Sequence, residues 1–484
     1  MGCHLIGIGG TGAKTVEAVV RLCAAGLGPD HLSVTFVDPD TANGNVERAT
    51  QALHDYQRAR GAERMTLWGN CTLQETVLSG GELWTPFDDE ATPTLREFLG
   101  VPALAVANEE VANLLDVLYS DDELKTSLEQ GFRGHPSIGS AVMATRADFT
   151  TSEQFSKLKE EIEQDVKNGH RATVVLVGSI FGGTGASGFP TFARLIRAQL
   201  DDLGTTNARL GGVLLLPYFS FPSNRQTDEL AAQSDEFLLS TQAALEFYHE
   251  SGYHDLYDQL YVVGDSDLSP VERFSLGAGT QKNAPHFVEL YAALAALNVM
   301  NHDVDMSTPK VAMLARRAAD VVDWDDLPDG QRTKQALGQL VRFSVAFREF
   351  YHPLLKNIRH RGQGYRAPWF FDLVDKVSVG FRGDETSTVL DNLDTMCEGV
   401  MDWCHGLHMS AENRGVELLD CATYRPKFDP GRFGSLVRPE MSEAHTLTGV
   451  WDTLCEARFT PNKTQTQGIG TFIRALYDAC GRTA

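Results

Sequence analysis

Short apolar runs alternate with amphipathic stretches through the first 300 residues of the chain. Residues 3–6 (Cys-His-Leu-Ile) form one run, and 13–24 then repeat apolar residues at helical spacing. Further strand-like runs stand at 32–37, 172–177, 211–216 and 259–263, and helical patterns at 189–200 and 224–250. Strands alternating with helices predict an α/β fold, a doubly wound, mostly parallel sheet covered on both faces. The run beginning His286-Phe287-Val288 is apolar almost all round to Leu297, which predicts a helix buried between two bodies. Residues 49–129 are mixed. Helical stretches at 109–119 and 121–130 flank a loop-like 84–90, and much of this part, 52–125, reads as an insertion. A turn-rich segment at 131–139 leads into a helix from Ser140. Beyond the polar loop at 320–330, a strand-like 376–381 and helices near 386–408, 447–458 and 471–480 predict an α+β carboxy-terminal domain.

Composition narrows the class. A chain of 484 residues exceeds one ordinary core, so two or three domains are expected. A net charge of −23 argues against general binding to nucleic acid or to an anionic membrane. The basic stretch at 342–366, with Arg348, Lys356, Arg359, His360, Arg361 and Arg366, reads as a solvated helix face. Eight cysteines without a CxxC pair fit a reducing cytoplasm. Cys397, Cys404, His405 and His408 place one Cys/His pair a helical turn apart, but no second ligand pair accompanies it, so no metal site is expected there. The amino terminus lacks a leader pattern, and no apolar run reaches spanning length. Ile6 stands where myristoylation needs Ser or Thr. A soluble, cytoplasmic protein without a membrane span is expected.

Two glycine-rich turns carry the candidate chemistry. Gly7-Ile8-Gly9-Gly10-Thr11-Gly12 and Phe181-Gly182-Gly183-Thr184-Gly185-Ala186-Ser187 each follow an apolar run and open a helical pattern. Glycines let backbone amides approach an anion closely, and a helix start adds free donors and a positive dipole end. Two such turns point to a shared polyphosphate. Asp38-Pro39-Asp40 follows the second strand, where doubly wound folds commonly place a ribose-binding acid.

With these motifs in this order, the chain resembles the tubulin/FtsZ superfamily, and more closely its bacterial tubulin-like proteins. The resemblance covers roughly the first 310 residues. Gly7 to Gly12 is similar to the family's first nucleotide loop, and Asp38 and Asp40 lie in the loop after its second strand. Gly134, His135 and Pro136 fall in the loop that approaches the terminal phosphate. Gly182, Gly183, Thr184, Gly185, Ala186 and Ser187 resemble the signature loop, with Phe181 in place of its first glycine and Ala186-Ser187 in place of its final pair. The helix from His286 resembles the family's core helix.

The resemblance implies a nucleotide, GTP or GDP with Mg²⁺, held by Gly9, Gly10, Thr11, Gly12, the loops just named and His286, with Asn45 and Arg48 lining the phosphate pocket. Lys14 falls where FtsZ has a guanine-contacting asparagine, and Asp265 where another base or ribose asparagine is expected, so ATP is not excluded. Lys14 either neutralises phosphate or is an exposed helix residue. In the family, hydrolysis is completed by synergy-loop acids of a neighbouring subunit. Asn301 and Asp303 match the start of that loop, and Asp305 falls one residue early for its second acid. These residues either position the attacking water in a neighbour's site or cap a helix end and turn. A homo-oligomer or filament is therefore implied, with the carboxy-terminal domain available to a protein partner. The expected division is a nucleotide domain at 1–283, a core helix and loop at 284–305, and a second domain at 306–484. Two other readings stand beside this one. The first is a non-hydrolysing nucleotide-dependent binding module. The second is a ubiquitin-activating-type adenylating enzyme, suggested by Asp38, Asn45, Arg48 and Gln51 behind a GxGG loop.

Overall fold

Parallel strands buried on both faces need apolar residues at nearly every position, and the central strands of this protein have them. The computed structural model describes residues 2–61, 71–87, 94–128, 132, 135–148, 152–220, 234–265, 268–270, 282–302, 310–315, 321–356, 367–370, 384–411, 415–421, 428–438, 446–457 and 465–481. Seven strands form one sheet: β1 (Gly2–Ile8), β2 (His31–Val37), β3 (Val77–Trp84), β4 (Ala172–Ser179), β5 (Ala208–Leu215), β6 (Gln259–Val263) and β7 (Val311–Leu314). Their spatial order is β3-β2-β1-β4-β5-β6-β7, and every pairing is parallel. The α/β doubly wound architecture expected from the sequence is the observed one.

Each face of the sheet carries its own core. Leu5, Val34, Phe36, Val175, Val177, Val213 and Val263 point to one side. They pack there with helices α1 (Gly9–Ala24), α2 (Gly44–Arg60) and α8 (Phe287–Asn301). Ile6, Ile8, Val174, Leu176, Leu210, Leu214 and Val262 point to the other. Their neighbours are α4 (Pro136–Arg146), α5 (Glu153–Lys167) and α6 (Gly183–Asp202). The two-residue period of a strand separates these sets, and the helices close both sides. Two further helices, α3 (Glu109–Leu118) and α7 (Ser234–Glu250), complete this half among the described longer elements.

Beyond β7 the described residues are mainly helical. Helix α9 (Gly330–Ala346) packs on α10 (Asp384–Ala411) and α12 (Gln465–Gly481), α11 (Leu447–Glu456) packs on α12, and α10 lies against α2. Their apolar residues join the same core as α1 and α8. The strand expected at 376–381 lies outside the described residues.

Several boundaries differ from the sequence reading, for local reasons. Helix α4 begins at Pro136 rather than Ser140, because proline suits the first helical position. The helix expected at 121–130 is five residues long, Asp121–Lys125. The segment expected as an insertion at 52–125 supplies the carboxy-terminal half of α2, from Ala52 to Arg60, and the edge strand β3. Gly80 and Gly81 break the strand pattern of β3. They take φ of 79° and 107° at a register shift opposite Val34 and Thr35, where a Cβ on Gly80 would lie 2.2 Å from the Val34 carbonyl oxygen.

Candidate functional site

In a doubly wound sheet the ligand crevice lies outside the carboxyl ends of the strands, at the point where the winding direction reverses. Here that point is between β1 and β4, which are hydrogen-bond neighbours although far apart in sequence. Both glycine loops occupy it: α1 starts at Gly9 directly after β1, and α6 starts at Gly183 just after β4. They touch. A Cβ built on Gly9, whose φ is 72°, would lie 3.3 Å from the Thr184 Cβ and 3.5 Å from the Gly185 nitrogen.

Neither helix start has a side-chain cap. The N-cap residues are Ile8 and Gly182, which offer no acceptor, so the first amides of both helices keep free donor capacity. Every residue of α1 is buried except Gly10 and Thr11, so this helix opens to solvent only at its loop. Other glycines are there for close packing. A Cβ on Gly12 would come within 2.6 Å of the Val177 carbonyl oxygen, and one on Gly185 within 2.3 Å of the Ser179 carbonyl oxygen. Ser187 donates to the Gly183 carbonyl at 2.6 Å and packs against Gly139 of α4. Tyr248 donates to the Ala186 carbonyl at 2.7 Å. The start of α4, with His135 as N-cap and Pro136 in its first turn, also lacks a side-chain cap. Gly134 lies outside the described residues.

The loop after β2 folds tightly beside the first glycine loop. Asp38 accepts from the Asp40 amide at 3.0 Å and from Asn43 Nδ2 at 3.1 Å, while Asp40 accepts from the Ala42 amide at 3.0 Å. Burial pushes the Asp38 carboxyl up to about 7, against the opposing pull of these donors. Asn43 caps α2 through the Asn45 amide at 2.9 Å. The Asn43 and Asn45 Nδ2 atoms stand 3.1 and 3.2 Å from the Cβ position of Gly10. Asn45 Oδ1 accepts from the Asn283 amide, and Arg48 Nη1 donates to the Asn283 carbonyl at 2.6 Å. Arg48 Nε donates to Glu17 at 2.7 Å, which leaves Nη2 a buried donor without a hydrogen-bond partner. Asp265 is buried just beyond β6, at the same end of the sheet.

Lys14 is neither on the surface nor open to an incoming anion. Its side chain is 3% exposed, and its ammonium is ion-paired with Glu289 of α8, whose side chain is 2% exposed. Burial lowers the Lys14 pKa, and Glu289 opposes that shift. Glu289 also accepts from the Tyr218 hydroxyl at 2.5 Å and the His286 amide at 2.9 Å. His286 Nδ1 accepts from the Val288 amide, and its Nε2 faces Ser269 Oγ at 2.7 Å. The His286 ring thus caps the core helix and lies tilted against Tyr218, centroids 4.9 Å apart. Glu289, Tyr218, Asn43 and Asn283 escaped the sequence reading. Only Glu289 left a signal, as the sole carboxylate in an otherwise apolar helix.

Asn301 stands apart from these groups, at the far end of α8, where its Nδ2 donates to the Leu27 carbonyl at 2.8 Å. Leu27 lies in the turn that enters β2, so Asn301 sits at the amino end of the sheet, opposite the glycine loops. Asp303 and Asp305 lie outside the described residues. Among the described residues no group of three or more His, Cys, Asp or Glu side chains is placed to hold a metal. His405 and His408 face the carbonyls of Cys421 and Leu419 at 3.1 Å each. No described helix is long and apolar enough to cross a membrane.

No protein-family model matches this chain, and no curated protein matches it. Among solved structures, it is similar to CetZ2 from Haloferax volcanii, solved as a GTPgS-bound protofilament, with 14% identity and a TM-score of 0.29. That alignment covers 63% of this chain and 61% of the other.

Proposed function

We propose that this chain is a tubulin/FtsZ-like nucleotide-binding protein whose glycine loops hold the phosphates of one nucleotide, GTP or GDP in the first instance. The observation that supports it most is the contact of the Gly9 loop with the Thr184 loop at the reversal between β1 and β4. Two uncapped helix starts side by side make a donor set suited to a polyphosphate, and Arg48, ion-paired with Glu17, keeps Nη2 as a spare donor. In this reading Asp38 and Asp40 take the ribose hydroxyls, Asp265 the base or ribose, and His135 and Pro136 the terminal phosphate. A Mg²⁺ would be carried largely by phosphate and water. Residues 1–283 form the nucleotide part in this reading, 284–305 the connecting helix and loop, and 306–484 a region that differs in partner binding. The protein works in the cytoplasm.

Hydrolysis in this reading belongs to an assembly. The end of α8 that carries Asn301 is opposite the glycine loops, so a copy stacked head to tail would bring the residues after Asn301, including Asp303 and Asp305, toward its neighbour's terminal phosphate. The non-hydrolysing module has one observation in its favour, since the Asn301 amide is already engaged by the Leu27 carbonyl. The test is to denature freshly purified protein, identify the released nucleotide, and assay GTP and ATP turnover across protein concentrations. Guanine nucleotide with turnover rising steeply with concentration, lost in Asp303→Ala while nucleotide stays bound, supports the assembling enzyme. Bound nucleotide without turnover supports the module. Adenine with pyrophosphate release supports an adenylating enzyme. The absence of any nucleotide, bound or bindable, refutes the proposal.

A further inference from the structure

Helix α3 packs Ala112 and the half-buried Leu115 inward and turns its other large apolar residues outward. Only Ala112 among its residues is buried, whereas Val111, Leu114 and Leu118, at helical spacing along one face, are 39%, 53% and 60% exposed, and Val117 beside them is 82% exposed. On the neighbouring helix Val101–Ala107, Val106 is 91% exposed as well. An amphipathic helix normally buries such a face, and a contiguous exposed patch marks an interaction site.

The rim of the patch is acidic. Glu110 stands within the apolar stripe on α3, and Asp121 and Asp122 follow at its end, all exposed, with Lys125 3.7 Å from Asp121. These charges would repel the same face of a second copy, an anionic membrane and a nucleic acid. We propose that this face docks a basic amphipathic helix from a partner protein, its apolar side laid on Leu114, Val117 and Leu118 and its lysines or arginines meeting the acidic rim. The patch is also tied to the start of α4. The Tyr119 hydroxyl donates to the Ser137 carbonyl at 3.4 Å, and Glu123 stands 3.7 Å from His135 Nδ1. A partner seated here therefore borders the segment that packs, through Gly139, on Ser187 of the second glycine loop.

The test uses the full chain and a labelled helical peptide of about 18 residues, long enough to hold a helix, with leucines on one face and lysines and arginines on the other. Its binding is followed by fluorescence anisotropy. A second peptide keeps the leucines and replaces the basic residues with glutamate. Saturable binding of the basic peptide alone is expected, weakened about tenfold or more by Val117→Ser/Leu118→Ser and by raised salt. In Glu110→Lys/Asp121→Lys/Asp122→Lys the preference should pass to the acidic peptide. Circular dichroism should show both variants folded, since every substituted side chain is exposed, and the salt dependence of the unaltered chain gives a readout independent of any variant. No binding, equal binding of both peptides, or binding that survives both variants overturns the proposal. So does adsorption to anionic vesicles, or self-association that Val117→Ser/Leu118→Ser abolishes.

Discussion

Replacing Glu289 by glutamine keeps the side-chain volume and removes the charge that faces Lys14. Both groups are almost wholly buried, so the ammonium would be left in a low-dielectric interior with no counter-charge beside it. Breaking a buried pair from one side costs about 3–5 kcal/mol. Glu289 also accepts from the Tyr218 hydroxyl and the His286 amide, and a glutamine has only one oxygen with which to replace the two, so the upper part of that range is expected. Lys14→Met should cost less, because the carboxylate keeps both of those donors. Lys14→Met/Glu289→Gln should recover much of the loss, since no isolated charge then remains buried. Urea denaturation followed by circular dichroism, analysed as a double-mutant cycle, measures each term. The pH dependence gives a second reading. Burial holds the Lys14 pKa below its usual 10.5 against the opposing effect of Glu289. Between the folded and unfolded values the unfolded chain binds more protons, so stability rises with pH across that window. Without the carboxylate the folded value falls further and the window widens downward, so the deficit of Glu289→Gln should shrink as pH rises toward 10.5. Single losses below about 1 kcal/mol, as for exposed pairs, or strict additivity in the double variant, would refute the reasoning.

The glycines should sort by what a methyl group meets. Gly12→Ala and Gly185→Ala drive a Cβ into a backbone carbonyl and should each cost about 1–3 kcal/mol and abolish nucleotide retention. Gly182→Ala meets only Ser179 Oγ at 3.2 Å and should stay within about 0.5 kcal/mol, as read by denaturation and by analysis of released nucleotide. Asp38, raised by burial to about 7 from 3.8, binds a proton in the folded state that the unfolded chain lacks between those values. Stability should therefore fall with rising pH there by up to about 1.4 kcal/mol per unit, and Asp38→Asn should flatten that slope. Burial lowers the pKa of His4, but Asp165 and Glu161, each 3.5 Å from one ring nitrogen, raise it by more, and the result lies above 6.5. That stabilisation is complete below pH 6.5 and lost as pH rises through the folded value, and urea midpoints of His4→Gln against pH should lack this loss.

Chain-local signals in the sequence already pointed to the alternation of strands and helices, the apolar core helix and both glycine loops. Those features are legible because each is set by neighbouring residues. A strand buried on both faces needs a continuous apolar run, a helix between two bodies needs apolar residues all round, and a loop that receives an anion needs glycine. Edge strand β3 was hidden because Gly80 and Gly81 make a bulge that interrupts its pattern. The partner of Lys14 was also hidden, since Glu289 is 275 positions away and no local period connects them. Only the tertiary structure could decide that this lysine is closed into the core, that the two glycine loops meet at the reversal between β1 and β4, and that Leu114, Val117 and Leu118 of α3 face outward. Each of these depends on which distant surfaces come into contact, and periodicity along the chain records only that a face is apolar, not what covers it.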